Sequence, residues 1–148
     1  MKKEHRHLGS YGILIRDDKI LLIRKCVGPY DGKLDLPGGS LEFGENPELA
    51  LVREFKEEVG IDIIKYELID ADSVNVEWNY KNEIINVHHI GIFYKIIDYK
   101  DEIKKEIKVD SQNDDSMGAD FYSISVLKKE RLSAIVILEL EKLGYSLN

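Results

Sequence analysis

Apolar residues along this 148-residue chain fall into short β-branched runs separated by polar turns, with one long irregular connection and two stretches of helical spacing. Residues 8–16 and 19–26 are runs of this kind on either side of Asp17-Asp18, which predicts a hairpin with a two-residue turn. The next segment, VGPYDGKLDLPGGSLEFGENP, is rich in Gly and Pro but keeps Leu34, Leu36, Leu41 and Phe43 as apolar punctuation. An irregular stretch of that length inside a compact domain reads as functional when it retains such anchors. Asn46 is placed to cap a helix with Pro47 in its first turn, and Gly60 to end it, predicting a helix over 47–59. Residues 61–66, 68–78 and 84–97 are rich in Ile, Val and Tyr and predict three strands. From 98 to 118 the chain turns charged and polar, as in a mobile surface insertion; a short strand over 119–123 and a closing helix over 125–143 follow. No internal repeat breaks the pattern, and the length fits one domain spanning 1–148.

Composition narrows the classes. Lys and Arg total 21 against 28 Asp and Glu, a net charge of −7, so the overall field repels polymeric nucleic acid. A phosphate-rich small molecule would then need a local basic site or a metal ion. Hydrophobic residues at 43% and charged residues at 33% describe a globular chain rather than a disordered one. No run approaches the roughly 20 apolar residues that span a bilayer, so no membrane partner is expected. The polar start MKKEHRHLGS leads into no secretory core, and the single Cys26 cannot form an intramolecular disulfide; a cytoplasmic location is expected.

The predicted helix over 47–59 carries the most specific chemistry. At about 100° per residue, Glu54, Glu57 and Glu58 share one face while Val52, Phe55 and Val59 occupy a neighbouring apolar one. Three carboxylates so close repel one another unless a cation sits among them, and hard divalent ions prefer such oxygens. Carboxylate spacing alone leaves a solvated acidic face as the competing interpretation.

The preceding loop changes that balance. From Gly39 the chain reads GSLEFGENPELALVREFKEEVGI, which resembles the signature of the Nudix hydrolase family. The seven fixed identities of that signature are present as Gly39, Glu45, Arg53, Glu54, Glu57, Glu58 and Gly60, within a box over 39–61. Chance agreement is on the order of 10⁻⁸ per starting position. Phe55 departs from the family's aliphatic position, on the buried side of the helix. GKLDLPGG before the box and VHHIGIFYKI after it resemble MutT-type members in order and kind.

The resemblance implies an α/β fold, a Nudix-type α/β/α sandwich with a curved mixed β-sheet. It implies a metal-dependent pyrophosphohydrolase using Mg²⁺ or Mn²⁺ and acting on a small nucleotide, a nucleoside diphosphate linked to another group. A nucleoside triphosphate cut to monophosphate and pyrophosphate is the leading choice. ADP-ribose or a nucleotide sugar, a dinucleoside polyphosphate, or a non-catalytic nucleotide-sensing module on the same fold are the alternatives, and a homodimer is left open. Carried over position by position, Glu57 and Glu58 are metal ligands, Glu54 is a ligand or the base for the attacking water, and the Gly38 carbonyl completes the coordination. Arg53 would pair with Glu57 or Glu45 and hold the carboxylates in register.

Outside the box the assignments rest on position. Asp115, with Asp114 next, is the candidate for a distal acidic ligand, against a solvated loop. Arg24 and Lys25, ending a strand near the expected site, could bind phosphate alongside Gly39, or simply solubilise the surface. His88 and His89 are adjacent on a strand and so face opposite sides, where a hydrogen-bonded structural role outweighs a metal site. His5 and His7 carry no specific assignment, Cys26 reads as a core or near-core thiol, and Trp78, Tyr80 and Phe93 read as packing residues. Leu36 offers no ring for stacking, and Ser133 stands where MutT-type members present an amide, so broad base selectivity is expected.

Overall fold

The computed structural model describes residues 3–103 and 116–148. In chain order the elements are β1 (Lys3–Ile13), β2 (Ile15–Arg16), β3 (Lys19–Lys25), β4 (Leu34–Asp35), β5 (Gly38–Ser40), α1 (Pro47–Glu54), β6 (Asp62–Tyr80), β7 (Glu83–Lys100), β8 (Ser116–Ser123) and α2 (Ala134–Lys142).

Asp17 and Asp18 both lie at positive φ, 54° and 58°, as a two-residue hairpin turn requires, and they join β2 to β3. The predicted hairpin is real only at this tip. Upstream, the apolar run belongs to β1, which lies parallel to β7 and antiparallel to β5 in a mixed sheet of order β5-β1-β7-β6. The chain changes sheets at Leu14, whose carbonyl accepts from the Leu21 N–H at 2.9 Å. Because the run is apolar throughout, its pattern does not mark where one pairing partner is exchanged for another. In the second sheet β3 is central: β8 pairs along it, and β2 and β4 pair with its two ends.

The strands predicted over 61–66 and 68–78 form the single strand β6. Register shifts between Ile63 and Asp70 absorb the interruption that the sequence pattern presents as a break. Lys81 and Asn82, at φ 49° and 65°, close the β6–β7 hairpin with a second turn of positive φ.

Two apolar cores lie on opposite sides of the sheets. Along β3, Ile20 and Leu22 enter one core while Leu21 and Ile23 enter the other, which is why ILLI has no polar face. Ile135, Val136 and Leu140 of α2 cover the first core, and Leu51 of α1 with Phe55 and Val59 covers the second. The expected α/β/α sandwich is thus the observed architecture.

The helix over 47–59 keeps its predicted ends but changes its winding. Asn46 Oδ1 accepts from the Leu49 N–H at 2.9 Å, with Pro47 in the first turn. After Glu54 the turn widens over Phe55–Val59, and the Gly60 N–H reaches back five residues to the Phe55 carbonyl at 2.9 Å. Gly60 accepts the left-handed φ of 85° that ends it. Phe55 fits at its aliphatic position because a Cβ at residue 12 would stand 2.4 Å from its ring, and Gly12 has none.

The closing helix is shorter than predicted, with α2 capped by Ser133, whose Oγ accepts from the Val136 N–H at 3.4 Å. Residues 124–126 and 129–131 are single tight turns, and Leu132 is instead held extended beside Leu34. Most of the predicted insertion, including Asp114 and Asp115, lies outside the described residues. No helix among the described residues is long and apolar enough to cross a membrane.

Candidate active site

Three carboxylates of the box, Glu45, Glu54 and Glu57, are organised around one guanidinium. Arg53 lies in the last turn of α1, and its side chain reaches Glu45 in the turn of residues 41–46. Its Nε donates to Glu45 Oε2 at 2.8 Å and its Nη2 to Glu45 Oε1 at 2.9 Å, a bidentate pair. Nη1 donates to Glu54 Oε1 at 2.9 Å and to Glu57 Oε2 at 3.3 Å, and Nη2 also reaches the Ser40 carbonyl at 3.1 Å. These bonds from Arg53 hold the Glu45 carboxyl down at about 2, and the carboxylates in turn raise Arg53 above its ordinary value.

Glu58 is 2% exposed and points away from Arg53, its Oε1 accepting from the Gly38 N–H at 2.8 Å. That approach depends on two glycines. Gly38 has φ 140°, and a Cβ there would stand 2.1 Å from the Ser10 carbonyl. A Cβ at Gly39 would stand 2.7 Å from Glu54 Oε1, so even alanine would push on the carboxylate. The PGG turn and the helix end are therefore fitted to each other. Among the described residues, no three His, Cys, Asp or Glu side chains already converge as a metal cage. Arg53 occupies the position of the counter-charge.

Beside this cluster lies a cleft of about 200 Å³ lined by Lys25, Tyr30, Asp35, Gly39, Glu54 and His89, among others. His89 is 1% exposed, and both of its ring nitrogens are engaged: Tyr11 Oη lies 2.6 Å from Nε2 and Tyr30 Oη 2.8 Å from Nδ1. Burial above all, then the charges of His7 and Lys25, push its pKa down to about 3, so the ring is neutral. Burial also raises both tyrosine hydroxyls. The buried Asp35 accepts from the Leu36 N–H at 2.8 Å and from Ser133 Oγ at 2.7 Å.

A NUDIX domain model matches residues 5–136 of this chain. The chain belongs to the Nudix hydrolase family. It is 34% identical over 125 residues to an ADP-ribose pyrophosphatase of Methanocaldococcus jannaschii, covering 84% of this chain and 66% of that protein. It is 27% identical over 107 residues to an 8-oxo-dGTP diphosphatase of Proteus vulgaris, covering 72% of this chain and 88% of that protein. The crystal structure of a MutT Nudix hydrolase from Burkholderia pseudomallei superposes with a TM-score of 0.72 at 24% identity, over 95% of this chain and 99% of that one. A bifunctional NMN adenylyltransferase/ADP ribose pyrophosphatase from Francisella tularensis, solved with AMP and a Mn ion, shares the fold with a TM-score of 0.59 at 19% identity, over 95% of this chain and 42% of that one.

The Nudix helix thus brings together Arg53, Glu54, Glu57, Glu58, Gly38 and Gly39, and the cleft adds Lys25. Arg24 is directed elsewhere: its Nη1 donates to the Tyr122 hydroxyl at 3.4 Å, and it does not line the cleft. Neighbouring strand residues face opposite sides, so Arg24 and Lys25 cannot both enter from β3. His88 faces away from His89, as its strand position requires. Phe93 is fully buried in the core, while Cys26 is only half-buried. Sequence reasoning missed Tyr11, Tyr30, Asp35 and His7 as cleft residues. A signal was present: His7, Gly9 and Tyr11 alternate on β1 as His89, Gly91 and Phe93 do on β7, and the two strands pair in register.

Proposed function

We propose that this Nudix hydrolase is a metal-dependent pyrophosphohydrolase acting on a nucleoside diphosphate linked to another group. The observation that carries this reading is the fitted pair of PGG turn and glutamate-bearing helix end. It sets hard oxygen donors beside a cleft lined by Lys25, Tyr30 and His89. The donor set suits Mg²⁺ or Mn²⁺: Glu54, Glu57 and Glu58, with the Gly38 carbonyl and Asp115 as further candidates. Such an ion, when bound, supplies charge neutralisation and polarisation of a phosphoryl oxygen. Arg53 keeps Glu45 ionised and holds Glu45, Glu54 and Glu57 in register. Glu54, which lines the cleft, is a metal ligand or the base for the attacking water. Lys25, in the cleft lining, offers a positive charge to the phosphates.

Nucleoside triphosphate and ADP-ribose remain the two substrate classes that the relatives' names favour, with the triphosphate as the leading choice. Base selectivity is broad, because Ser133 spends its hydroxyl on Asp35 and on capping α2, and Leu36 is buried in the core. The test is kcat/KM for 8-oxo-dGTP, dGTP, ADP-ribose and diadenosine tetraphosphate with Mg²⁺ and Mn²⁺. Turnover of at least one substrate, abolished by chelation and restored by either ion, is the expected result. A preference for 8-oxo-dGTP over dGTP above about a thousandfold would contradict broad selectivity.

A further inference from the structure

The cleft is bounded by two walls that come from distant parts of the chain, and both are tied to one buried ring. The first wall is the loop of residues 26–33. Its base is closed by the Lys25 N–H bonding the Lys33 carbonyl and the Gly32 N–H bonding the Lys25 carbonyl, each at 3.0 Å. Its inward anchor is Tyr30, 6% exposed, whose hydroxyl meets His89 Nδ1. The second wall is the rim at Ser40, next to the box glycines. Ser40 Oγ lies 2.6 Å from His7 Nε2, and the His7 ring stacks on His89 with centroids 4.5 Å apart and planes 10° apart.

A neutral imidazole has one donor and one acceptor nitrogen. Tyr11 and Tyr30 therefore satisfy His89 reciprocally, one donating and the other accepting. Tyr11 reaches the ring by lying across residue 9, where a Cβ would stand 2.5 Å from its hydroxyl and glycine leaves the room. With both nitrogens and one face engaged, His89 is locked by its surroundings and locks them in turn.

We propose that His89 is a positioning residue which, through Tyr30 and through His7 with Ser40, sets the width of the cleft for the uncharged end of the substrate, a ribose or a base. This rests on the pyrophosphohydrolase reading above. The floor presents the hydroxyls of Tyr11 and Tyr30, each of which keeps hydrogen-bonding capacity beyond its bond to His89 and suits an uncharged partner. Asp35 along the same lining repels a phosphate, while Lys25 supplies a positive charge there. The phosphates accordingly lie toward Lys25 and the box carboxylates, and the uncharged end lies between Tyr30 and His7. Preorganised walls act on binding more than on the chemical step.

The test is steady-state kinetics of Tyr30→Phe, which keeps the ring and removes the hydroxyl, using whichever of ADP-ribose or 8-oxo-dGTP the wild type hydrolyses with Mg²⁺. Inorganic pyrophosphate, which lacks the uncharged end, is the competing inhibitor. The expected result is KM raised roughly tenfold, kcat within about twofold, and pyrophosphate inhibition unchanged. His7→Ala, at the half-buried outer ring, is expected to raise KM in the same direction by less. Unchanged KM in both variants would overturn the proposal and leave the functional reading standing. Loss of pyrophosphate affinity or of kcat in step with KM would overturn it too, because general loosening of the site would then suffice. A folded wild type that cleaves no nucleoside diphosphate derivative would overturn the functional reading and this proposal together.

Discussion

Two groups of acidic residues in this protein are each gathered around one basic side chain, and they differ in what surrounds them. In the box, Glu45, Glu54 and Glu57 surround Arg53. On the other side of the fold, Asp70 and Asp72 of β6 flank Lys142 of α2, with Nζ 2.8 Å from Asp70 and in contact with Asp72, and Glu139 lies beneath. Each group sets several carboxyl groups against one cation. Arg53, however, offers a planar fork whose geometry fixes each carboxylate, whereas Lys142 is a point charge, 42% exposed, at the end of a flexible stem.

Their protonation also differs. Arg53 keeps Glu45 ionised far below the usual carboxylate range. Glu139, 3% exposed, is pushed up to about 8, by burial first and then by the neighbouring Asp70. It is a neutral acid at pH 7, and among the described residues its Oε2 has no hydrogen-bond partner. Above all, the box cluster adjoins two glycines that bring backbone against carboxylate, and among the described residues the Lys142 cluster has no such loop. A group of acids becomes a candidate site when backbone geometry and a cleft are built to it, and the charge alone does not decide.

The largest expected difference between the two groups is in turnover. Glu57→Gln is expected to lower kcat/KM by at least about a hundredfold with folding intact, because Glu57 is half exposed and one hard donor is lost. Asp72→Asn is expected to leave turnover within about twofold. Comparable losses in the two variants, measured on protein of matched thermal stability, would erase the distinction.

A smaller effect concerns stability against pH, and here Glu139 and His89 act in opposite directions. Glu139 has its folded pKa raised from 4.5 to about 8, so the unfolded chain releases that proton first. Its contribution to stability is present at low pH and is lost as pH rises from about 4.5 to 8. His89 has its folded pKa lowered from 6.5 to about 3. Below about 6.5 the unfolded chain takes up a proton that the folded ring refuses, so stability falls as pH drops toward 3. Urea midpoints across this range are expected to show Glu139→Gln flattening the fall on the alkaline limb, between about pH 4.5 and 8, without changing the acid limb set by His89. If Glu139→Gln left the alkaline slope unchanged, the buried neutral acid would be the wrong description.

Much of this was legible because the box constrains both ends of the helix locally. Asn46, Pro47 and Gly60 set the limits of the helix, and the spacing from Gly39 to Glu58 set its partner loop. What was not legible depends on pairing between distant segments. Leu14 sits inside an unbroken apolar run, so exchange of sheets left no mark on the pattern. His7 and His89 are far apart in sequence and meet only through the parallel register of β1 and β7. Tyr30 reads as one more loop aromatic until its hydroxyl finds His89. Phe55 appeared as a departure from the family pattern, and its compensation at Gly12 is visible only in three dimensions.

The central claim is that the box carboxylates hold a divalent ion for hydrolysis and that the Lys142 cluster does not. Titrating metal-free protein with Mn²⁺ and following the free ion by electron paramagnetic resonance tests it without reference to any substrate. The expected result is a binding site in the wild type that weakens by roughly tenfold or more in Glu57→Gln and is unchanged in Asp72→Asn. Equal Mn²⁺ affinity in wild type and Glu57→Gln, or loss of binding in Asp72→Asn instead, would contradict it.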